Sequence, residues 1–519
     1  MIQKMIDKVV EVVSPERALR REAARRTLRV LNSGYGNHGA SRTKKSLIGW
    51  NHKGGSPDDD ITDNLEVLRQ RSRDLYMGGP LATGALKTLR TNVVGYGLRV
   101  KPQIDADFLG MSDEEADEWE RHVEREFQLW AEDCDAGRML DFYEMQALVF
   151  LSMLMSGDVF CTMPMIERPG NPYALKIAVI EADRVCNPPG VTSPNIRGGI
   201  EVDQFGAPIA YYIAQKHPLD SKSMQNKWAR VPVFGERTGR RNVLHLMEFE
   251  RPGQRRGVPI LAPVIESLKQ LTRYSEAELM AAVVSGMFTV FITSKTPETP
   301  LGEAVPLEQQ VDVTDENSYE LGNGAIIALG EGEDVKEVNP ARPNTAFDSF
   351  VMSMTRQIGA ALEIPYEVLV KHFTASYSAS RAALLEAWKM FRMRRSWLIS
   401  KFCKPIYNEF LYEAVARGRI NAPGFFDDPI IRAAYSNAEW YGPSQGQIDP
   451  LKEVNAAKIR VQEGFSTRAR EATELTGSDF EMIVRQRTKE EKMMREGGLL
   501  TNASENQEVL GVPGVENEE

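Results

Sequence analysis

Cysteine is scarce in this sequence, and the spacing of the few that occur argues against a disulfide framework. Among 519 residues there are four cysteines, far apart and without a Cys-x-x-Cys pair. The six histidines lack a His-x-x-x-His spacing and have no cysteine nearby that would complete a zinc site. We therefore expect no metal centre and free thiols, as in a reducing compartment. The cysteines are Cys134, Cys161, Cys186 and Cys403.

Long apolar segments are also missing. The longest apolar run, "MAAVVSGMFTVFIT" (280–293), is shorter than the roughly 20 residues that span a bilayer. Residues 1–26 are amphipathic and rich in arginine, without the apolar core of a signal peptide. These absences predict a soluble intracellular chain with no membrane partner.

The sequence lacks the motifs of the common enzyme classes. No Walker A sequence, nucleophile elbow or kinase signature occurs. The segment "GYGNHG" (34–39) has the glycine spacing of a dinucleotide loop, but a basic helical pattern precedes it where that fold needs an apolar strand. We expect a turn there, no cofactor, no catalytic residue and no enzymatic activity.

One acidic cluster leaves an alternative open. Asp58, Asp59, Asp60 and Asp63 resemble the carboxylate set of a two-metal nuclease, which needs its acids on rigid elements. They lie in a Gly/Ser/Pro-rich linker just before a predicted helix, where acids interact favourably with the helix dipole. Capping is the favoured interpretation, and a metal-dependent nuclease is the alternative.

Charge is distributed unevenly along the chain. The net charge of −10 argues against a tight, sequence-reading DNA binder, although it leaves room for a local basic patch. Residues 1–53 hold twelve Lys and Arg against four Asp and Glu. A basic arm of this kind is either solvated or in contact with a polyanion.

The patterns that are present predict a largely helical protein with some strands. A hydrophobic content of 42% over this length allows two to four structural units. Periodicity predicts two helices within 61–95, broken at Gly78-Gly79-Pro80, a helix that begins at Ser112 or Asp113, and another over 142–155. Alternation in "LKIAVIEADRVC" and "PIAYYIAQ" predicts strands.

The C-terminal half carries long helical patterns. Helices predicted over 258–285 and 346–362 bracket two short strands and a loop, 297–322, that has seven acids and no base. A longer helix is predicted over 378–415, with a kink at Pro405 because proline lacks a backbone donor. Shorter helices are predicted over 450–463 and 478–496, and the acidic tail after them is expected to be disordered.

Five blocks of sequence, taken in order, resemble one known family. The blocks are "YGNHGASRTKKSLIGW", "DDDITDNLEVLRQRSRDLYMGGPLATGALKTLRTNVVGYGLRVKP", "HLMEFERPGQRRGVPILAPVIESLKQL", "EIPYEVLVKHFTASYSASRAALLEAWKMFRMRRSWL" and "EWYGPSQGQIDPLKEVNAAKIRVQEGFSTRAREATELTGSDFEMIVRQR". Over residues 35–497 the chain resembles the portal proteins of tailed bacteriophages, specifically the lambda-like portal family. The resemblance implies an α+β, predominantly helical portal fold that assembles into a ring, usually of twelve subunits, at one vertex of the viral head.

The resemblance implies a division of the chain into the parts of a portal subunit. These are a basic N-terminal arm and linker (1–60), a wing (61–250), a first stem helix (251–286), a clip (287–344), a second stem helix (345–365), a tunnel loop (366–379), a long kinked helix with further wing (380–449), crown helices (450–497) and an acidic tail (498–519).

The function implied is a channel through which viral DNA is packaged and later ejected. Its implied partners are double-stranded DNA without sequence specificity, the terminase large subunit, a head–tail adaptor, and the major capsid and scaffolding proteins. Its implied location is the virion, after assembly in the host bacterial cytoplasm. A monomeric DNA-packaging accessory protein is a further alternative.

Three groups of residues are candidates for function in such a ring. Tunnel-loop residues would line the bore, although an ordinary turn that caps the helix at Ser378 is an alternative for them. Arginines on the long helix would pair with acids of a neighbouring subunit, or else lie in solvent with little energetic weight. Acids of the clip would dock the terminase or an adaptor, or else form a solvated loop. The groups are Lys371, His372, Thr374, Ser376, Tyr377 and Ser378 in the loop, Arg381, Arg392, Arg394 and Arg395 on the helix, and Glu298, Glu303, Glu308, Asp312, Asp315, Glu316 and Glu320 in the clip.

The chain departs from the family pattern in two places, at Glu363 and at the pair Lys371-His372. Relatives often carry glycine where this chain has Glu363, and we expected an acidic or polar residue where it has Lys371 and His372. Both departures affect the shape and the charge of the tunnel loop.

Overall fold

The computed structural model describes most of the chain, in two units that are treated separately. The described residues are 13–31, 40–41, 44–47, 49–50, 54–191, 193–220, 226–286, 290–294, 333–337, 346–373, 376–446, 450–477 and 480–497. The units are 1–60 and 61–519. The first contains helix α1 (Pro15–Leu31) and the short helix α2 (Pro57–Asp60).

Helices make up most of the second unit, as the sequence predicts. Helix α3 ends at Gly78 and α4 begins at Pro80, so the predicted break is confirmed. Ser112 caps α6 through a capping box with Glu115, which confirms the predicted start of that helix. The helices are α3 (Leu65–Gly78), α4 (Pro80–Val93), α5 (Ala106–Leu109), α6 (Asp113–Ala131), α7 (Phe142–Ser156), α8 (Ile265–Gly286), α9 (Phe347–Ala361), α10 (Tyr366–Val370), α11 (Tyr377–Leu398), α12 (Lys404–Ala416), α13 (Pro429–Tyr435), α14 (Pro450–Gln462), α15 (Arg468–Thr476) and α16 (Phe480–Glu496).

The strands form small antiparallel sheets. The two with most strands have the orders β3-β2-β8 and β4-β5-β6-β7, and β1 pairs with β11 across most of the length of the chain. Strands β9 and β10 pair with each other, Val290 opposite Glu337, between helices α8 and α9. The strands are β1 (Arg99–Pro102), β2 (Asp158–Thr162), β3 (Ala178–Ile180), β4 (Ile196–Arg197), β5 (Ile200–Val202), β6 (Pro208–Ala214), β7 (Trp228–Pro232), β8 (Val243–Met247), β9 (Val290–Ser294), β10 (Glu333–Glu337) and β11 (Ala438–Tyr441).

The largest core is aromatic and surrounds the long helix. Phe402 stacks on Phe142 with ring centroids 5.8 Å apart, and Phe410 meets Phe127 edge to face at 5.2 Å. All four rings are buried. Because Phe402 and Phe410 belong to the long helix, this packing fixes that helix against α6 and α7.

The long helix contains the irregularity that the sequence predicts. Helix α11 passes through a π turn, Ile399–Cys403, into α12. Pro405 follows that turn directly. Its ring would clash with the carbonyl of Lys401 in a regular helix, and the wider turn relieves that clash.

Two details of the helices differ from the predictions. Helix α8 begins at Ile265, seven residues later than predicted, after the 3-10 turn Ala262–Val264. Pro259 and Pro263 are the cause, because proline fits only the first turn of an α-helix. The crown segment contains α15, which was not predicted.

The described helices can be compared with the prediction that the chain has no membrane-spanning segment. Among the described residues, no helix combines the length and apolar composition that a bilayer crossing requires. The segment 34–39, the acidic loop 297–322 and the tail 498–519 lie outside the described residues.

Candidate channel loop and charged sites

The candidate tunnel loop connects α10 and α11, and its described residues between the two helices, 371–373 and Ser376, are exposed. Helix α10 ends at Val370, and the next residue, Lys371, caps it with the left-handed backbone angles φ 56° and ψ 38°. The main-chain N–H of His372 donates to the carbonyl of Glu367, the hydrogen bond of a Schellman motif. Lys371 and His372 are both exposed, so this end of the helix presents two basic side chains to solvent.

The other end of the loop is a helix cap. Ser376 lies before the first residue of α11, and its side chain accepts a hydrogen bond from the main-chain N–H of Ala379 at 3.4 Å. The alternative cap at Ser378 was therefore placed two residues too late. Ser376 and Ser378 are exposed. Thr374 and the side chain of Tyr377 lie outside the described residues.

Glu363 also adopts a left-handed conformation, with φ 59°. It follows the last turn of α9, where the N–H of Ile364 donates to the carbonyl of Gly359 at 2.9 Å. Glycine is the residue that this position favours, because it has no Cβ. Glu363, which replaces the glycine common in relatives, therefore occupies a strained backbone position. Its side chain accepts a hydrogen bond from Arg394 Nη2 at 3.4 Å.

The four candidate arginines of the long helix have different surroundings. Arg394 is buried, and its Nη2 and Nε lie 3.4 and 3.6 Å from carboxylate oxygens of Glu363 and Glu248 in the same chain. Its Nε and Nη1 have no hydrogen-bond partner among the described residues. Arg381 is partly exposed and Arg392 is exposed.

Arg395 is held by the main chain of another helix. Its Nε donates to the carbonyl of Val93 at 3.1 Å and its Nη2 to that of Asn92 at 2.9 Å. Its guanidinium lies 5.4 Å from the ring centre of Trp388. Burial, followed by repulsion from Arg392, lowers the pKa of Arg395 to about 10. Arg394 and Arg395 thus have partners within their own chain, and contact with a neighbour stays a prediction for the set.

The seven acids predicted in the clip, from Glu298 to Glu320, lie outside the described residues.

The four acids of the nuclease alternative lie within the described residues. Asp59 accepts hydrogen bonds from the main chain and hydroxyl of Ser56, as the capping interpretation predicts. Among the described residues, the set Asp58, Asp59, Asp60 and Asp63 forms no group with metal-ligand geometry.

A buried charge network was not predicted from the sequence. Asp158, at the start of β2, has no exposed side-chain surface and accepts hydrogen bonds from Arg256 at 2.6 and 3.1 Å and from Arg69 at 2.8 Å. The main-chain N–H of Gly257 also donates to it, at 3.1 Å. Burial alone would raise the pKa of Asp158, but the charges of Arg256 and Arg69 outweigh it and hold this pKa well below its usual range.

His245 completes this network. Its Nε2 lies 3.4 Å from Asp158, and its ring stacks on Phe160 with centroids 4.2 Å apart. Burial lowers the pKa of His245. The partners come from α3, β2, β8 and the turn before α8, so these charges tie separate segments together.

A second charge cluster surrounds Asp133, next to the buried Cys134. Asp133 pairs with Arg168 at 2.7 Å and with the buried Lys176 at 3.2 Å. These basic partners lie more than thirty positions away along the chain, so no local pattern predicts them.

A third group joins Glu181, Asp183 and His217, whose ligand atoms lie within 4.8 Å of one another. Arg73 already bridges both carboxylates, and Arg69 lies 3.3 Å from Asp183. Charge neutralisation by the two arginines makes this an ion-pair cluster, with little attraction left for a metal ion.

Comparison with known proteins identifies the class. A family model described as phage portal protein, lambda family, matches residues 43–395, more than half of the chain. The class is therefore that of the phage portal proteins. The chain belongs to the lambda family of phage portal proteins, and its function is that of a portal protein in a phage virion.

The sequence similarity to individual relatives extends over nearly the whole chain. Portal protein B of Escherichia phage lambda is 26% identical over 486 residues, covering 89% of this chain and 90% of that protein. The portal protein of Escherichia phage N15 is 26% identical over 478 residues, covering 87% of this chain and 89% of its own.

The chain also resembles solved structures, at lower sequence identity. The neck of a native gene transfer agent particle, computed with C12 symmetry, matches 80% of this chain and 94% of its own, with 13% identity and a TM-score of 0.42. An HK97-family phage portal protein from Corynebacterium diphtheriae matches 60% of this chain and 84% of its own, with 11% identity and a TM-score of 0.29. The family assignment rests on the sequence match.

Proposed function

We propose that copies of this chain close into a ring, with twelve subunits as the family suggests, whose axial opening passes duplex DNA during packaging and ejection. The observation that carries the proposal is the exposure of Lys371, His372 and Ser376, at the two ends of the candidate loop, in a member of the portal family. In the ring this loop would line the bore.

A polar loop suits a conduit because a channel must not hold its DNA tightly. Each phosphate that a protein neutralises adds affinity and salt dependence, so a duplex held at many points would not slide. Ser376 and Ser378 offer exchangeable hydrogen bonds, and Lys371 and His372 add limited positive charge. The net charge of −10 supports repulsion of the duplex by the remaining surface.

The exposed apolar side chains of α8 support ring assembly. Leu279, Met280 and Val283 are between 44% and 65% exposed in the isolated subunit. In the middle of the same helix, Tyr274 packs against Phe347 and Phe350 of α9. A neighbouring subunit would bury the exposed apolar stripe, which is the usual role of such a surface. Helices α8 and α9 are thus the proposed stem.

The other parts of the proposed portal subunit are assigned relative to the stem. Strands β9 and β10 would begin the clip, whose seven acids would dock the terminase large subunit or a head–tail adaptor, and α14 to α16 would form the crown. Major capsid and scaffolding proteins would contact the outer surface during assembly in the host cytoplasm. Arg381, partly exposed near the start of α11, would pair with an acid of the adjacent subunit.

DNA packaging tests the lining role. We expect Lys371→Glu with His372→Glu to lower the amount of DNA packaged per particle, because the loop would repel the duplex. Lys389→Glu is the control, a charge reversal at another exposed position, which lies on α11 outside the loop and pairs with Glu386 at 2.6 Å. Equal packaging by the double variant and the wild type would refute the lining role. Mg²⁺-dependent cleavage of DNA by the purified protein would instead favour the nuclease alternative.

A further inference from the structure

A cleft with an excess of positive charge lies between the long helix and the proposed crown. Its volume is about 310 Å³, and it is bounded by α11, the segment Gly442–Gln445 after β11, and α15. Its charged lining residues are Arg392, Arg395, Arg470 and Glu474, so one carboxylate faces three guanidinium groups. We call these four residues and the space between them the cationic cleft.

The single carboxylate is already engaged. Glu474 accepts a hydrogen bond from Arg470 Nε at 3.4 Å, one turn earlier on the same helix. Arg392 is exposed and has no carboxylate partner among the described residues. Three guanidinium groups thus share one carboxylate in the cleft, although Arg392 also borders an adjoining cavity whose lining includes Glu453 and Glu471.

Arg395 gives the cleft a fixed wall. The carbonyls of Asn92 and Val93 hold its Nε and Nη2, and the face of Trp388 covers its guanidinium. Its Nη1 makes no hydrogen bond to the described residues. An arginine anchored in this way presents a donor without further loss of side-chain entropy, which favours binding of an anion.

We propose that the cationic cleft binds a phosphate group, with Arg392 and Arg395 on one side and Arg470 on the other. The forked guanidinium group matches the oxygens of a phosphate and binds them through paired hydrogen bonds. A cleft of about 310 Å³ leaves room for one phosphate with part of its hydration shell. This replaces, for Arg392, the expected contact with a neighbouring subunit.

The source of the phosphate follows from the proposed function, on which this step rests. A portal protein meets the phosphodiester backbone of DNA, and free phosphate offers the same oxygens. A single phosphate contact per subunit adds a weak, exchangeable attraction, because only many such contacts together would immobilise a duplex.

The experiment measures the effect of phosphate on the melting temperature of the full-length protein. Inorganic phosphate replaces chloride at constant ionic strength, for the wild type, Arg392→Ala and Arg470→Ala. Lys389→Ala is the matched control, since it removes an exposed positive charge from α11 outside the cleft. We expect phosphate to raise the melting temperature of the wild type and the control, and to raise it less in both cleft variants.

A second arm uses a short DNA duplex to distinguish the two sources. If the phosphodiester is the natural ligand, Arg392→Ala lowers the slope of log affinity against log salt by about 0.9 per lost contact. A change in the phosphate arm alone assigns the cleft to free phosphate. The proposal would be overturned if phosphate raised the melting temperature equally in all variants and the salt dependence of duplex binding were also equal in all of them. It would also be overturned if the wild type responded neither to phosphate nor to the duplex.

Electron microscopy of the same samples separates this proposal from the proposed function. Loss of rings in Arg392→Ala alone would overturn the phosphate site in favour of a subunit contact. If the wild type forms no rings, the proposed function fails, while the phosphate response still decides the site.

Discussion

Asp158→Asn is the substitution that tests the buried charge network most sharply. The carboxylate of Asp158 receives hydrogen bonds from Arg69, Arg256 and the N–H of Gly257, and none of its surface is exposed. Asparagine keeps the shape but removes the charge, and its NH₂ group would face a guanidinium. Arg69 and Arg256 are only 4% and 2% exposed, so water cannot replace the lost partner.

The expected loss of stability is large. Removing one partner of a buried ion pair costs about 3–5 kcal/mol, because the opposite charge stays buried without compensation. Arg69 keeps Asp183 at 3.3 Å, but Arg256 has no second carboxylate within 4 Å among the described residues. We therefore expect Asp158→Asn to lower the free energy of unfolding by an amount within this range.

Denaturant unfolding at fixed protein concentration, followed by circular dichroism, measures the loss. The midpoint should fall while the slope of the transition stays unchanged. The control is Asp107→Asn, at an exposed carboxylate on α5 that has no ion pair with any described residue, and its effect should stay within about 0.5 kcal/mol. A loss below about 1 kcal/mol for Asp158→Asn would refute the reasoning.

The pH dependence gives a second signature. Because the folded-state pKa of Asp158 is depressed, its contribution is present above the unfolded pKa of about 3.9 and is lost as the pH falls through the lower folded value. The stability difference between wild type and Asp158→Asn should therefore shrink below about pH 4. A constant difference across that window would contradict the assigned pKa direction.

The remaining predictions concern backbone positions. Gly257→Ala should prevent the chain around Gly157 and Gly257 from packing, because an added Cβ at Gly257 would lie 1.9 Å from the carbonyl oxygen of Gly157. The melting temperature measures this effect, with Gly84→Ala as the control because the space beside Gly84 is open. A comparable melting temperature for Gly257→Ala would contradict the close approach. Glu363→Gly should be more stable than Glu363→Ala by about 1 kcal/mol, since both lose the carboxylate but only glycine relieves the left-handed backbone. Equal denaturant midpoints for the two variants would show that φ at Glu363 carries no strain.

Local signals in the sequence predict the helices well. The Gly79-Pro80 break, the Ser112 cap and the helical periodicity around Phe402 each depend on residues within a few positions of one another. The irregularity near Pro405 follows from the missing donor of a single residue. Such features need no knowledge of the tertiary structure.

The charged sites are less accessible to sequence reasoning because their partners are distant in the chain. Asp158 meets Arg256 across 98 positions, and Arg395 meets Val93 across 302. The sequence predicts that Arg394 and Arg395 pair with a neighbouring subunit or lie in solvent, and it does not indicate that the fold buries one and anchors the other within the chain. The Gly/Arg-rich turn around Arg256 was a usable signal, since glycines there imply a close backbone approach.

The central claim is that many copies of this chain close around an opening wide enough for a DNA duplex. Electron microscopy of the purified full-length protein tests it most directly. We predict rings with a central hole in end-on views, with one dominant rotational symmetry. A homogeneous population of single compact particles without a hole would contradict the claim.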